Sequence, residues 1–225
     1  MDSLIVFDMD GVLAEVTESY REGIVQTVEF FTGRRIERDL IQDYKNQGGW
    51  NNDWALSQKI AADLGVEVDY QTVVDRFNNF FLGPNGDGNG LILREGWFPQ
   101  AGLLERLQQK HELGIFSGRI RFEAGLTLTR FAPAIHFDPT LYADELASGK
   151  PAPDGLIELQ RRRPASKLVY VGDTVDDARC ARAAQVPFIG LAARTHTKRD
   201  DLIKLFQREH ALAILENVNE IEGVL

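Results

Sequence analysis

Beyond residue 91, short apolar runs alternate with helical segments, and this alternation constrains the fold more than any other feature. The runs ELGIF, AIHF, KLVYVG, PFIGL and ALAIL are separated by helix-like stretches near Ala101–Lys110, Ile120–Arg130, Asp154–Arg162, Asp176–Ala184 and Arg199–Glu209. Alternating β and α elements predict a parallel, doubly wound sheet with helices on both faces. Ser3–Phe7 reads as one more strand, because a continuous apolar run suits burial on both sides. Residues 15–82 have a different texture. Tyr20, Ile24, Val28 and Phe31 share one helical face, as do Leu56, Ile60 and Leu64, and Val73, Phe77 and Phe81. Asp53 is the expected cap of the middle helix. GPNGDGNG, residues 83–90, is the strongest break in the chain. The expected organisation is an α/β core of residues 1–14 and 92–225 with a helical domain, 15–91, inserted after its first strand.

The balance of charge narrows the function. Of 225 residues, 34 are acidic and 25 basic, giving a net charge of −9. That argues against general binding to nucleic acid or anionic membranes. No stretch approaches the roughly 18 apolar residues of a membrane span, and no signal peptide fits the start, where a strand and acidic residues follow at once. A single cysteine, Cys180, precludes an intramolecular disulfide, so a cytoplasmic protein is expected. Cys180 reads as a small buried residue of an Ala-rich helix. His111, His136, His196 and His210 lack zinc-like spacing and read as structural or surface residues.

Ligands of open parallel sheets bind at the carboxyl ends of the strands. Asp8 and Asp10 follow the first strand, Ser117 and Gly118 follow ELGIF, and Asp173 and Asp177 follow KLVYVG; Lys150 lies in the loop SGKPAP. Two carboxylates two residues apart at the end of a buried strand repel each other, so a bare structural role is expensive. Carboxylates with one lysine and one serine suit Mg²⁺ and phosphate. Mg²⁺ prefers a few carboxylates, water and substrate phosphate. Ser117 and the N–H groups after it suit phosphoryl oxygens at a helix start, and Lys150 adds a compact positive charge.

Taken together, FDMDGVL, FSGR, GKPAPDG and VGDTVDDARCA resemble, in order, the four motifs of the haloacid dehalogenase superfamily. They span nearly the whole α/β core. The insertion between the first two is similar to the helical C1 cap of subfamily IA, which includes β-phosphoglucomutase, phosphonatase and many small-metabolite phosphatases. The GGWNNDW segment resembles a branch whose members carry names taken from histidine-biosynthesis enzymes. The resemblance implies a Mg²⁺-dependent phosphatase acting on a small phosphorylated metabolite, with the chain a monomer or homodimer. Asp8 would be the nucleophile and form an aspartyl-phosphate, and Asp10 the acid and base. Asp8, the Asp10 carbonyl and Asp173 would hold the metal. Asp177 would be a ligand or would orient a metal-bound water, Asp176 being the neighbouring alternative. Ser117, Gly118 and Lys150 would bind the phosphoryl group. Gly118 stands where many relatives carry Asn or Ser, so a backbone N–H must serve. Arg119 faces either the site or a surface acid.

Trp50, Asn51 and Asn52, with Arg119 of the core, are candidates for substrate selection; for the first three the alternative is a plain helix connector anchored by a buried Trp. Asn85, Asp87, Asn89 and Gly90 imitate the start of a calcium loop, but Gly96 occupies the position of its bidentate Glu, and a hinge is favoured. A phosphomutase uses the same site, and Lys45 raises the question of a phosphonatase, whose chemistry needs an imine-forming lysine. A non-catalytic binding protein is the alternative outside enzymes.

Overall fold

The computed structural model describes residues 3–164, 166–195 and 198–225; His196 lies outside them. The chain forms two compact units, Met1–Ala14 with Trp97–Leu225, and Glu15–Gly96. In chain order the elements begin with β1 (Ser3–Phe7), β2 (Ala14–Glu15), α1 (Tyr20–Thr32), α2 (Arg38–Gln47), α3 (Asp53–Asp63), α4 (Tyr70–Phe81) and β3 (Gly96–Trp97). They continue with α5 (Leu103–Gln108), β4 (Glu112–Phe116), α6 (Arg121–Phe131), β5 (Phe137–Leu141), α7 (Asp154–Arg162) and β6 (Lys167–Gly172). The last are α8 (Val175–Ala183), β7 (Phe188–Leu191), α9 (Arg199–Arg208) and β8 (Ala213–Leu215).

The first unit is built on a six-stranded sheet in the order β5-β4-β1-β6-β7-β8, and its strand pairs are parallel. Side chains alternate across a strand, and β1 shows the consequence. Ile5 and Phe7 join a core cluster with Leu103, Leu107, Leu113 and Ile115. Leu4 and Val6 join a second cluster with Leu156, Leu159, Cys180, Leu202 and Phe206. Helices therefore cover both faces, and the uninterrupted apolar run of β1 follows from burial on each. Cys180 is buried in the second cluster, as expected.

One strand lies elsewhere than expected. The run AIHF, residues 134–137, contributes only its last residue, and β5 is FDPTL. Pro139 lacks an amide donor, which an edge strand tolerates, and β5 is an edge.

In the second unit α1 packs against α3 and α4. Tyr20, Ile24, Val28, Leu56, Ile60, Val73, Phe77 and Phe81 form its interior, with the Tyr20 and Phe81 rings 4.0 Å apart. The unit runs on to Gly96, past the expected boundary at residue 91. The reason is a 3-10 turn, Leu91–Arg94, whose Leu91 and Ile92 are buried and which packs on α1 and α4. The helix α2 lies within the segment expected to be helical, though little apolar periodicity marks it. It is polar, burying only Ile41 and Gln42. The cap of α3 is Asn52, whose side chain accepts from the Ala55 N–H, whereas Asp53 is the first helical residue. Among the described residues no helix is long and apolar enough to cross a membrane.

Candidate active site

Strand register brings the candidate residues of the first unit to one end of the sheet. Phe7 pairs with Ile115 of β4 and with Val171 of β6. Asp8 therefore leaves β1 between the ends of its two neighbours, where Ser117 and Asp173 emerge. The Asp8 N–H donates to the Val171 carbonyl at 2.9 Å, fixing the strand end. Gly11 turns the chain with φ +75°; a Cβ there would lie 1.9 Å from Asp173 Oδ2, so only glycine lets the loop pass the Asp173 carboxylate.

Lys150 is the hub of the site. Its ammonium lies 2.9 Å from Asp8 Oδ1 and 2.7 Å from Asp177 Oδ1, and it donates to the Tyr170 hydroxyl at 2.8 Å. Tyr170 in turn donates to Asp177 Oδ1 at 2.7 Å. The other oxygen of Asp177 accepts from the N–H and hydroxyl of Thr174 at 3.0 and 2.6 Å, closing a capping box on α8. Both Asp177 oxygens thus hold two donors each. Burial opposes ionisation of Asp177, but the charge of Lys150 and these hydrogen bonds outweigh it and hold the carboxyl below its usual range. Asp8 goes the other way. Burial, helped by the charges of Asp177, Asp10 and Asp173, raises it well above the usual range in spite of Lys150. Lys150 resists the pull of burial because Asp177 and Asp8 flank it, and it stays protonated.

One oxygen from each of Asp8, Asp173 and Asp177 lies within 4.8 Å of the others. This donor set is all carboxylate, the hard-oxygen chemistry that suits Mg²⁺, and Lys150 supplies one positive charge against three negative. Asp176 is buried on the same helix but does not join the group.

Ser117 is buried at the end of β4, with its N–H on the Leu141 carbonyl at 3.1 Å and its hydroxyl accepting from the Arg119 N–H at 3.2 Å. Gly118 beside it is exposed. Arg119 faces the site. Its guanidinium is buried and donates to Asp10 Oδ1 from Nε at 2.7 Å.

In the second unit, Trp50 stands edge-on to Tyr44, and Asn52, besides capping α3, donates to the Tyr70 hydroxyl at 3.0 Å. Asn51 is half-buried. Lys45 is paired with Asp53 at 2.7 Å, which ties up the amine that imine chemistry would need. Around Asp87 the loop 83–90 is closed on itself, with Asn89 bonded to Asp87 and the Gly88 N–H to the Leu82 carbonyl.

Tyr170, Thr174 and the Asp10–Arg119 contact were missed as functional elements. Only Tyr170 carried a signal, since the hydroxyl of a tyrosine inside a buried strand needs a partner.

The family model described as haloacid dehalogenase-like hydrolase matches residues 5–191. A protein of Phytophthora nicotianae named imidazoleglycerol-phosphate dehydratase is 29% identical over 203 residues, covering 86% of this chain; the chain spans only 44% of that relative. Among solved structures, a predicted phosphoglycolate phosphatase from Haemophilus somnus 129PT superimposes with a TM-score of 0.75 at 18% identity, over 99% of this chain and 97% of its own. A subfamily IA hydrolase from Geobacter sulfurreducens PCA gives 0.64 at 20% identity, over 99% and 96%.

Proposed function

Since the chain belongs to the haloacid dehalogenase-like hydrolases, we propose that it is a Mg²⁺-dependent phosphatase that hydrolyses a small soluble phosphate monoester through an aspartyl-phosphate on Asp8. The observation that carries this reading is the buried ammonium of Lys150 bridging Asp8 and Asp177. A carboxylate nucleophile and a dianionic phosphate repel each other, and a fixed positive charge on Asp8 offsets that repulsion.

Asp8 attacks phosphorus, and Lys150 with the Ser117 hydroxyl stabilises charge on the phosphoryl oxygens. Asp10 gives a proton to the leaving alcohol and later takes one from the attacking water. Asp8, Asp173 and the Asp10 carbonyl would hold the Mg²⁺. Asp177, whose oxygens already accept from Lys150, Tyr170 and Thr174, orients Lys150. When bound, the ion supplies positive charge that brings two anions together and favours the ionised form of Asp8.

The test is release of inorganic phosphate from a panel of monoesters, with and without Mg²⁺. Imidazoleglycerol phosphate belongs in the panel, because the Phytophthora relative is named for it. Turnover that needs Mg²⁺ and is lost in Asp8→Asn supports the reading. No release from any monoester, or full activity in Asp8→Asn, defeats it. Conversion of a sugar phosphate to its isomer without phosphate release would make the chain a phosphomutase.

A further inference from the structure

We propose that Arg119 is a positioning residue that locks the Asp10 carboxylate for proton transfer; this rests on the phosphatase reading above. Arg119 is among the largest fully buried side chains of the protein. Desolvating a guanidinium is costly unless its donors are satisfied. Here Nε donates to Asp10 Oδ1 at 2.7 Å and Nη2 donates to the same oxygen. Nη1 donates to the Thr127 hydroxyl at 2.7 Å, one helical turn and more beyond the site on α6. The Arg119 main chain is equally fixed, with its N–H on the Ser117 hydroxyl and its carbonyl accepting from the Ala143 N–H.

The Asp10 side chain remains 32% exposed while that of Arg119 is fully covered. Two donors converge on Oδ1, and among the described residues none donates to Oδ2. A short carboxylate left to itself turns about its side-chain torsions. Held by two N–H groups on one oxygen, it presents the other in a fixed direction. Misplacing a proton-transfer group by as little as 1 Å is enough to cost about 10²-fold in rate. Of the groups assigned to the chemistry, it is Asp10 that the Arg119 guanidinium holds, and its contribution passes through that carboxylate.

The step most exposed to this device is dephosphorylation. An ester whose leaving group departs without protonation needs no acid in the first step, but attack of water on the aspartyl-phosphate always needs the base. With p-nitrophenyl phosphate, Arg119→Gln is expected to lower kcat about 10–100-fold, a share of the full acid–base contribution, with KM falling in parallel and kcat/KM nearly unchanged, because only the second step slows. Phosphorylated enzyme, read by intact-mass measurement after acid quench, accumulates in the variant during turnover. Arg119→Lys recovers part of the loss, and Thr127→Val shows a smaller loss of the same kind. Combined with Asp10→Asn, Arg119→Gln adds no further loss.

A raised KM with unchanged kcat, or an equal extra loss in the Asp10→Asn background, overturns the proposal. If Arg119→Gln does not fold, the lysine and Thr127→Val variants decide by the same phosphoenzyme readout. Wild-type protein that releases no phosphate would instead refute the phosphatase reading, before any variant is made.

Discussion

Replacing Lys150 by methionine tests the electrostatic core of the site. Methionine keeps the volume and removes the charge. Two carboxylate oxygens lie 2.7 and 2.9 Å from the ammonium. At an effective dielectric near 20, each such pair attracts by about 6 kcal/mol. Desolvation of the ammonium cancels several kcal/mol of that sum. Breaking a buried pair by removing one partner costs about 3–5 kcal/mol net, and that loss of unfolding free energy is expected in Mg²⁺-free buffer at neutral pH. The pH dependence follows from the signs. The raised Lys150 stays charged below the usual lysine range, so its pairing with Asp177 is complete at neutral pH. Asp177, held low, contributes stability above the usual carboxylate range and loses it only as pH falls through its depressed value. In Lys150→Met, burial of Asp177 is opposed by Tyr170 and Thr174 alone, and its carboxyl rises. The variant then takes up a proton on folding, so its deficit grows with pH by about 1.4 kcal/mol per unit until that carboxyl ionises. Urea denaturation at about pH 5.5, 6.5 and 7.5 reads this directly. A deficit below about 1 kcal/mol at neutral pH, or one that does not change with pH, would refute the reasoning.

Four other outcomes are expected. Gly11→Ala imposes a left-handed backbone cost of about 1–2 kcal/mol and drives its Cβ into Asp173; calorimetry should show lower stability, and phosphate release should fall. Mg²⁺ should raise the melting temperature of the wild type, by about 2.7 kcal/mol of added stability at a hundred times its Kd, and Asp173→Asn should abolish that shift. Tyr170→Phe removes the hydroxyl shared by Lys150 and Asp177; a loss of about 1–2 kcal/mol in denaturation is expected, with a several-fold fall in kcat. Burial pushes the Cys180 thiol up to about 12, so iodoacetamide at mildly alkaline pH should label it in urea and leave the native protein unmodified.

The legible parts of this molecule share one property: their signal is local. Strand β6 and helix α7 have the bounds their sequences suggest, because an apolar run and a proline-rich break announce them within a few residues. Helix α2 escaped as a separate element because RDLIQDYKNQ buries two residues and carries little periodicity. Strand β5 was displaced because FDPTL reads as a turn, and only its edge position in the sheet makes Pro139 acceptable. Asn52 outcompeted Asp53 as a cap by one residue, within the ordinary uncertainty of helix ends.

The candidate site divides along the same line. Asp8, Asp10, Ser117, Asp173 and Asp177 were legible as chemical types following strands and Lys150 as one in a loop, and five parallel pairings bring the strand ends to one end of the sheet. What each side chain is bonded to was not legible. Lys150 meets Asp177 across 27 residues and Arg119 meets Asp10 across 109. Neither separation leaves a local pattern. The Asp10–Arg119 contact turns the guanidinium onto Asp10 and Thr127, a pairing that no pattern near residue 119 announces. Under the reading proposed above, the residues that set the rate need not be those that choose the ligand.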